Sequence, residues 1–287
     1  MSREPHRLTL SLSCPERSGL LEMIGRIVAE TGAHAREARH FDDPDTARFF
    51  LRMEIEHRDP PAGWREQTEA RLAAAATEWH LDWTLTSPAD KPRVVVLASK
   101  TAHCLGDLLY RWAGGMLPVE IVAVISNHDD NRRLVEWHGL PYHHLPVTEG
   151  REAEQEAAVR ERVAAAEPDL VVLARYMRIL SEDFCEAYSG RLINIHHALL
   201  PALKGAYPYE RAHERGVKMI GATAHFVIPA LDEGPIIEQD VDRVDHTHRP
   251  ADLKRVGLDV ERRVLTRAVR WFAEGRVFRN GQRTVVL

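Results

Sequence analysis

RVVVLA at residues 93–98, EIVAVIS at 120–126 and DLVVL at 169–173 are nearly continuous apolar runs. A strand with one wet face alternates apolar and polar residues, so unbroken runs of this length suit strands covered on both faces of a parallel sheet. The stretches between them, including residues 105–112 and 152–166, read as helices. Strand and helix therefore alternate as in a doubly wound, mostly parallel, Rossmann-like α/β domain. In such sheets ligands bind beyond the carboxyl ends of the strands. The loops to search follow Leu97, Ile125, Leu173 and Ile195.

Upstream of these runs the pattern changes. RLTLSLS at residues 7–13 has the period-two alternation of a half-buried strand. Pro15, Glu16, Arg17, Ser18 and Gly19 make a turn, and Leu20, Leu21, Ile24, Ile27 and Val28 then recur at helical spacing until Gly32. Residues 35–41 and 48–56 predict a hairpin around Asp42-Asp43-Pro44-Asp45, with Phe49, Leu51, Met53 and Ile55 pointing inward. A helix over 64–78 and a strand carrying Leu81, Trp83 and Leu85 complete a βαββαβ, ferredoxin-like order. SPADKP at 87–92 reads as a linker, dividing the chain into domains at 1–86 and 93–287. There is no internal repeat, and no low-complexity tract beyond Ala73 to Ala76.

The 287 residues are ordinary globular material: 44% hydrophobic, 28% charged, 17 Gly and 16 Pro. A formal charge of −5 supplies no net positive field for nucleic acid or an anionic membrane. The first twenty residues lack the apolar stretch of a signal peptide, and no apolar run is long enough to span a bilayer. Three separated cysteines, Cys14, Cys104 and Cys185, contain no Cys-x-x-Cys pair, which disfavours a disulfide framework and a thiolate zinc site. A reducing cytoplasm fits this usage.

Gly-x-Gly-x-x-Gly, Walker, His-Glu-x-x-His and Gly-x-Ser-x-Gly signatures are all absent. The first buried strand runs into Ser99-Lys100-Thr101-Ala102-His103-Cys104-Leu105-Gly106, which offers one glycine where a phosphate cradle uses several. Lys100 there is either an anion-holding point charge or a solvated strand-end lysine. RLINIHHALLPALKGAYPY at 191–209 carries more chemistry. If 192–195 is a strand, Asn194 and His196 share one side of the sheet and His197 takes the other. An imidazole can move a proton near neutral pH, and an amide N–H can bind an oxygen as negative charge develops on it. Asn-x-His alone is a weak signal, since strand-end histidines often serve only as structural hydrogen-bonders. A second piece, Leu231-Asp232-Glu233-Gly234-Pro235, follows the strand-like GATAHFV at 221–227 and sets Asp232 in a tight turn, where it either orients His196 or simply caps the turn. Thr223 and His225 share a face and are expected to line the same pocket. The 16 histidines suggest metal, but His143-His144 and His196-His197 point to opposite faces if extended, so no metal site is expected.

Together NIHHALLPALKGAYPY, YMRIL (176–180), GATAHFV and LDEGPIIEQDV (231–241) resemble the formyltransferase family that handles 10-formyltetrahydrofolate, over most of residues 93–287. The resemblance implies a catalytic triad of Asn194, His196 and Asp232. It also implies a pterin pocket built from Arg178, Ile179 and Leu180, closed by the 227–232 loop with Val227 and Leu231, and lined by His225. Residues 1–86 resemble an ACT domain whose ligand loop, at 14–20, brings Arg17, Ser18, Gly19 and Leu20 to an amino-acid effector, although such modules also serve only to pair subunits. The combination resembles the formyltetrahydrofolate deformylases, hydrolases that release formate and tetrahydrofolate, supply formate for purine synthesis and balance the one-carbon folate pool. Two departures from the transferases point the same way. SKTAHCLGD replaces their Gly-rich acceptor loop, and Asn194-Ile195-His196-His197-Ala198 replaces Asn-x-His-Pro-Ser. Ala198 stands where the deformylases often carry serine. Water as the acceptor, no cofactor and a homo-oligomer are the corresponding expectations. The alternatives are formyl transfer to a small-molecule acceptor and a non-catalytic folate- or amino-acid-sensing protein.

Overall fold

The computed structural model describes residues 6–201 and 208–287. The last part of the 191–209 motif, at 202–207, and residues 1–5 lie outside them. In chain order the elements are β1 (His6–Pro15), α1 (Leu20–Glu30), β2 (His34–Asp43), β3 (Arg48–His57), α2 (Trp64–Trp79), β4 (Asp82–Thr86), β5 (Arg93–Ala98), α3 (His103–Ala113), β6 (Glu120–Ser126) and α4 (Arg132–Trp137). There follow β7 (Tyr142–His144), α5 (Glu152–Ala165), β8 (Leu170–Ala174), α6 (Glu182–Ala187), β9 (Leu192–His196), α7 (Pro208–Glu214), β10 (Met219–Phe226), β11 (Ile236–Arg243), α8 (Pro250–Ala273), β12 (Val277–Asn280) and β13 (Arg283–Val286). None of the described helices is long and apolar enough to cross a membrane.

The chain forms two compact units. The first comprises Met1–Asp90 with Glu274–Asn280 and Val285–Leu287; the second comprises Lys91–Ala273 with Gly281–Thr284. In the first unit β1 to β4 form an antiparallel sheet in the order β2-β3-β1-β4. Leu8, Leu10 and Leu12 of β1, with Phe49, Leu51, Met53 and Ile55 of β3, meet Ile24, Ile27 and Val28 of α1 and Leu72 of α2 in one core. This is the inward face that the alternation predicts. The opposite face is covered as well: Phe50 is fully buried, and Ser11, Ser13 and Arg52 are nearly so. The reason corrects the expected boundary, because the end of the chain returns to this unit. Ser11 Oγ donates to the Gly275 carbonyl at 2.6 Å, Arg52 Nε donates to the Glu274 carbonyl at 2.9 Å, and Phe278 packs edge-on to Phe50. Asn280 donates to the Asp43 carboxylate. A polar strand face in sequence thus marks the seat of a distant segment rather than solvent.

The second unit is built on a seven-stranded sheet in the order β11-β10-β9-β8-β5-β6-β7. The five strands β5 to β9 run parallel, and β10 and β11 are antiparallel to their neighbours. Val95, Leu97, Ile125, Val171 and Leu173 pack against Val159 and Val163 of α5 and Phe184 of α6. The alternate residues Val94, Val96, Val124 and Val172 are equally buried, so both faces are covered, as the unbroken runs require. From β5 the chain moves outward through β6 and β7, then crosses back to β8 on the other side. That reversal puts a topological switch point between the carboxyl ends of β5 and β8. α8, which the sequence reading did not single out, contacts α3, β9, β10 and β11.

Candidate active site

Parallel pairing of β8 with β9 sets Leu173 opposite Asn194, and antiparallel pairing of β9 with β10 sets His225 opposite Asn194 and Thr223 opposite His196. A strand pleat turns alternate residues to one face, so Asn194, His196 and His225 come together on one side of the sheet. The LDEGP turn then folds over them. Gly234 makes that possible: a Cβ there would lie 1.7 Å from the Phe226 carbonyl oxygen. Asp232, in the same turn, adopts a left-handed backbone with φ 56°. Asp and Asn tolerate that conformation better than most residues, and such strain tends to persist where a side chain must be aimed.

Asp232 Oδ2 lies 3.3 Å from His196 Nδ1, and Oδ1 lies 3.7 Å from His225 Nε2. The His225 Nδ1–H donates to the Phe226 carbonyl at 2.9 Å. Its Nε2 is therefore an acceptor and receives an Asn194 Nδ2–H at 3.2 Å. Burial lowers the His225 pKa, only partly opposed by the bond to Phe226 and the charge of Asp232, which agrees with a neutral ring. With its own amide held by His225, Asn194 keeps a second N–H for a ligand. His196 is nearly buried, and its Nε2 has no hydrogen-bond partner among the described groups.

These residues wall a cleft of about 250 Å³. All nine site residues expected from the sequence for catalysis and substrate, Asn194, His196, Asp232, Arg178, Ile179, Leu180, Val227, Leu231 and His225, line it. The opposite wall is the segment after β8, in which Arg175 and Met177 take left-handed backbones with φ 62° and 59° and the Tyr176 hydroxyl accepts Gln155 Nε2–H at 3.0 Å. Met177, Ile179 and Leu231 are 64%, 72% and 58% exposed. Three large apolar side chains left wet at one rim suit a flat, apolar ligand that covers them.

Two sequence expectations change. Thr223 does not line the cleft; fully buried, it donates to the Ala198 carbonyl at 2.8 Å and accepts Leu200 N–H at 3.0 Å, so it pins the turn after β9. His196 and His197 do not face opposite ways: their rings stack with centroids 4.9 Å apart and planes 24° apart. The pleat ends with β9 at His196, and the chain turns there, which frees His197 from the strand's alternation. Lys100 is exposed at the end of β5.

Sequence reading missed the groups behind His197. Arg175 Nη1 donates to His197 Nδ1 at 2.6 Å. Glu261 of α8, 1% exposed, places Oε2 at 3.4 Å from Arg175 Nε and at 2.8 Å from His103 Nε2, and Oε1 accepts the Tyr209 hydroxyl at 3.2 Å. Burial alone would raise the Glu261 pKa, but the His103 bond and the Arg175 charge lower it. Burial, then the Arg175 charge and His196, lower that of His197 to about 4. Ligand-type atoms of His103, Cys104 and Glu261 lie within 4.8 Å of one another; the guanidinium already beside that carboxylate supplies the positive charge a cation would bring. Arg175 had one sequence signal, its place directly after a buried parallel strand. Glu261 had none, because it lies on a helix far along the chain, at Pro250–Ala273.

In the first unit Arg17 stacks its guanidinium 4.0 Å above Trp79 and donates to the Glu78 carbonyl at 3.1 Å. Ser18 is exposed, and Gly19 caps α1 with φ 88°. Leu20 departs from the expected effector set: its side chain is in the core beside Ile24, so only its backbone can meet a ligand.

A model of the formyl transferase family matches residues 92–269. A formyltetrahydrofolate deformylase of Corynebacterium sp. is 44% identical over 284 residues, covering 99% of both chains. The crystal structure of a formyltetrahydrofolate deformylase from Burkholderia mallei superposes with a TM-score of 0.94 at 44% identity, covering 99% of this chain and 100% of that one. Glycinamide ribonucleotide transformylase 1 of Symbiobacterium toebii matches 69% of this chain and 94% of its own, with a TM-score of 0.63 at 35% identity. These deformylases match across both units, and the chain belongs to the formyltetrahydrofolate deformylase family.

Proposed function

We propose that this protein hydrolyses 10-formyltetrahydrofolate to formate and tetrahydrofolate. The observation that carries the reading is the Asp232 carboxylate 3.3 Å from His196 Nδ1, beside the Asn194 amide, on the wall of a cleft with an apolar rim. Asp232 holds the imidazole by Nδ1, leaving Nε2 as the atom that moves a proton. Water attacks the formyl carbon and gives its proton to Nε2; an Asn194 N–H meets the oxygen that becomes negative. The C–N bond then breaks, the proton on Nε2 passes to N10, and formic acid leaves, giving its remaining proton to water to become formate. This chemistry uses no cofactor. The pterin lies between the 178–180 segment and the 227–231 loop. Incubating the purified protein with 10-formyltetrahydrofolate and no acceptor tests the reading: turnover to completion supports it, and turnover that starts only on adding an amine acceptor makes the protein a transferase.

The first unit fits an ACT-like role, pairing subunits into a homo-oligomer and binding an amino acid at Arg17, Ser18 and the α1 N-terminus. Titration calorimetry with glycine and methionine checks the second part, since no heat at millimolar ligand leaves pairing alone. The buried, unpaired cysteines suit a cytoplasmic enzyme, where the released formate feeds purine synthesis.

A further inference from the structure

An arginine side chain stays protonated in proteins and only donates. The 2.6 Å approach of Arg175 Nη1 to His197 Nδ1 therefore requires a lone pair on that nitrogen, which a protonated imidazole does not have. His197 is thus held as its neutral, Nε2–H tautomer. Its ring lies nearly parallel to His196 at 4.9 Å, so any charge it took up would face the ring that must itself gain and lose a proton. Arg175 can act this way only if its own charge is answered, and the carboxylate that answers it is Glu261, which is buried and fastened by His103 and Tyr209. Gly257, one helical turn before Glu261, leaves space for Tyr209, because a Cβ there would meet its hydroxyl oxygen at 2.2 Å.

We propose that Arg175, held against His197 by the buried Glu261, is a positioning residue that keeps His197 neutral and stacked on His196, so that the proton moved in the reaction is handled by His196 alone. The inference rests on the reading of His196 as the proton-transfer group. The charged and titratable groups facing His197 are Arg175 from the segment after β8, His196 from β9, Glu261 from α8 and Asp232 from the turn before β11. Arg175 and His196 oppose its protonation, and the two carboxylates favour it. Removing the Arg175 charge shifts that balance toward a protonated His197.

The test is Arg175→Gln, which keeps an N–H donor but removes the charge, studied alone and with His197→Asn, together with Glu261→Gln. Ring-labelled histidine NMR of Arg175→Gln is expected to show the His197 imidazole titrating well above pH 4. At pH 5.5, kcat of this variant is expected to fall a few-fold further below the native value than it does at pH 7.5, because burial still opposes protonation of His197 but the Arg175 charge no longer does. KM for the folate should change less than twofold. In the His197→Asn background the same substitution should produce no extra acid loss. Glu261→Gln, which loosens the hold on Arg175, should show the same added acid loss to a smaller extent and leave KM close to native, with Glu261→Asp restoring part of the lost rate. A His197 ring that still titrates near pH 4 in Arg175→Gln, or an acid loss that persists without His197, overturns the inference. Full activity in His196→Ala instead overturns the catalytic reading, whatever the NMR titration of His197 gives.

Discussion

Replacing Gly234 by alanine would put a methyl carbon 1.7 Å from the Phe226 carbonyl oxygen, where real Cβ contacts essentially never fall below 3.0 Å. The turn or the end of β10 must separate by the difference, about 1.3 Å. Both sides of that contact belong to the site. The same oxygen accepts the His225 Nδ1–H at 2.9 Å, Phe226 N–H donates to the Pro235 carbonyl at 2.9 Å, and Asp232 sits two residues before Gly234. A shift of that size takes Asp232 out of reach of His196 or tilts His225 away from Asn194. Misplacement by about 1 Å costs on the order of 10²-fold in rate, close to 2.7 kcal/mol of barrier. Gly234→Ala is therefore expected to lose about 10²-fold in kcat while remaining folded, since the clash is with a backbone carbonyl at the end of β10 and removes no side chain from either core. Initial rates of formate release, with a thermal melt and circular dichroism on the same preparation, measure this. A folded variant with kcat within twofold of native would refute the claim that the turn's backbone sets the Asp232 to His196 geometry.

Asn194→Ala should lower kcat by about 10²–10³-fold, the usual loss of one oxyanion donor, and Asp232→Asn, which keeps shape and removes charge, should fall steeply too. Near-normal formate release from both variants would remove these residues from the chemistry. Phe50→Ala empties a fully buried site between the first unit's sheet and Phe278 and should cost about 3–5 kcal/mol in denaturant unfolding. Stability should also decline on acidification. His197 and His225 titrate below the ordinary 6.5 in the folded protein, so as pH falls the unfolded chain takes up these protons first and the folded state loses ground. For His197 the loss runs from about pH 6.5 down to about 4, and melting temperatures measured across that window should fall more steeply than those of a His197→Asn variant.

Legibility in the sequence followed the range of the interaction. RVVVLA, EIVAVIS and DLVVL announced a covered parallel sheet because burial on both faces is written into consecutive residues, and RLTLSLS announced the inward leucines of β1 in the same way but not the cover over its polar face. Asn194 and His196 were readable as neighbours by pleat periodicity, and Asp232 by the turn chemistry of LDEGP. Periodicity then failed at its own limit: it was extended one residue past β9 and sent His197 to the wrong side.

The amino-acid order alone determined the two-part architecture, the strands that carry the site and the residue types that can move a proton there, because each is a property of a few adjacent side chains. Only tertiary structure decided that residues 274–280 would cover Ser11, Phe50 and Arg52, and that Glu261 would neutralise Arg175 behind the paired imidazoles. Both are contacts between segments far apart in the chain, made by residues that look like solvated surface until the fold removes the water from around them. No local pattern encodes a carboxylate's partner when that partner arrives on another strand or helix.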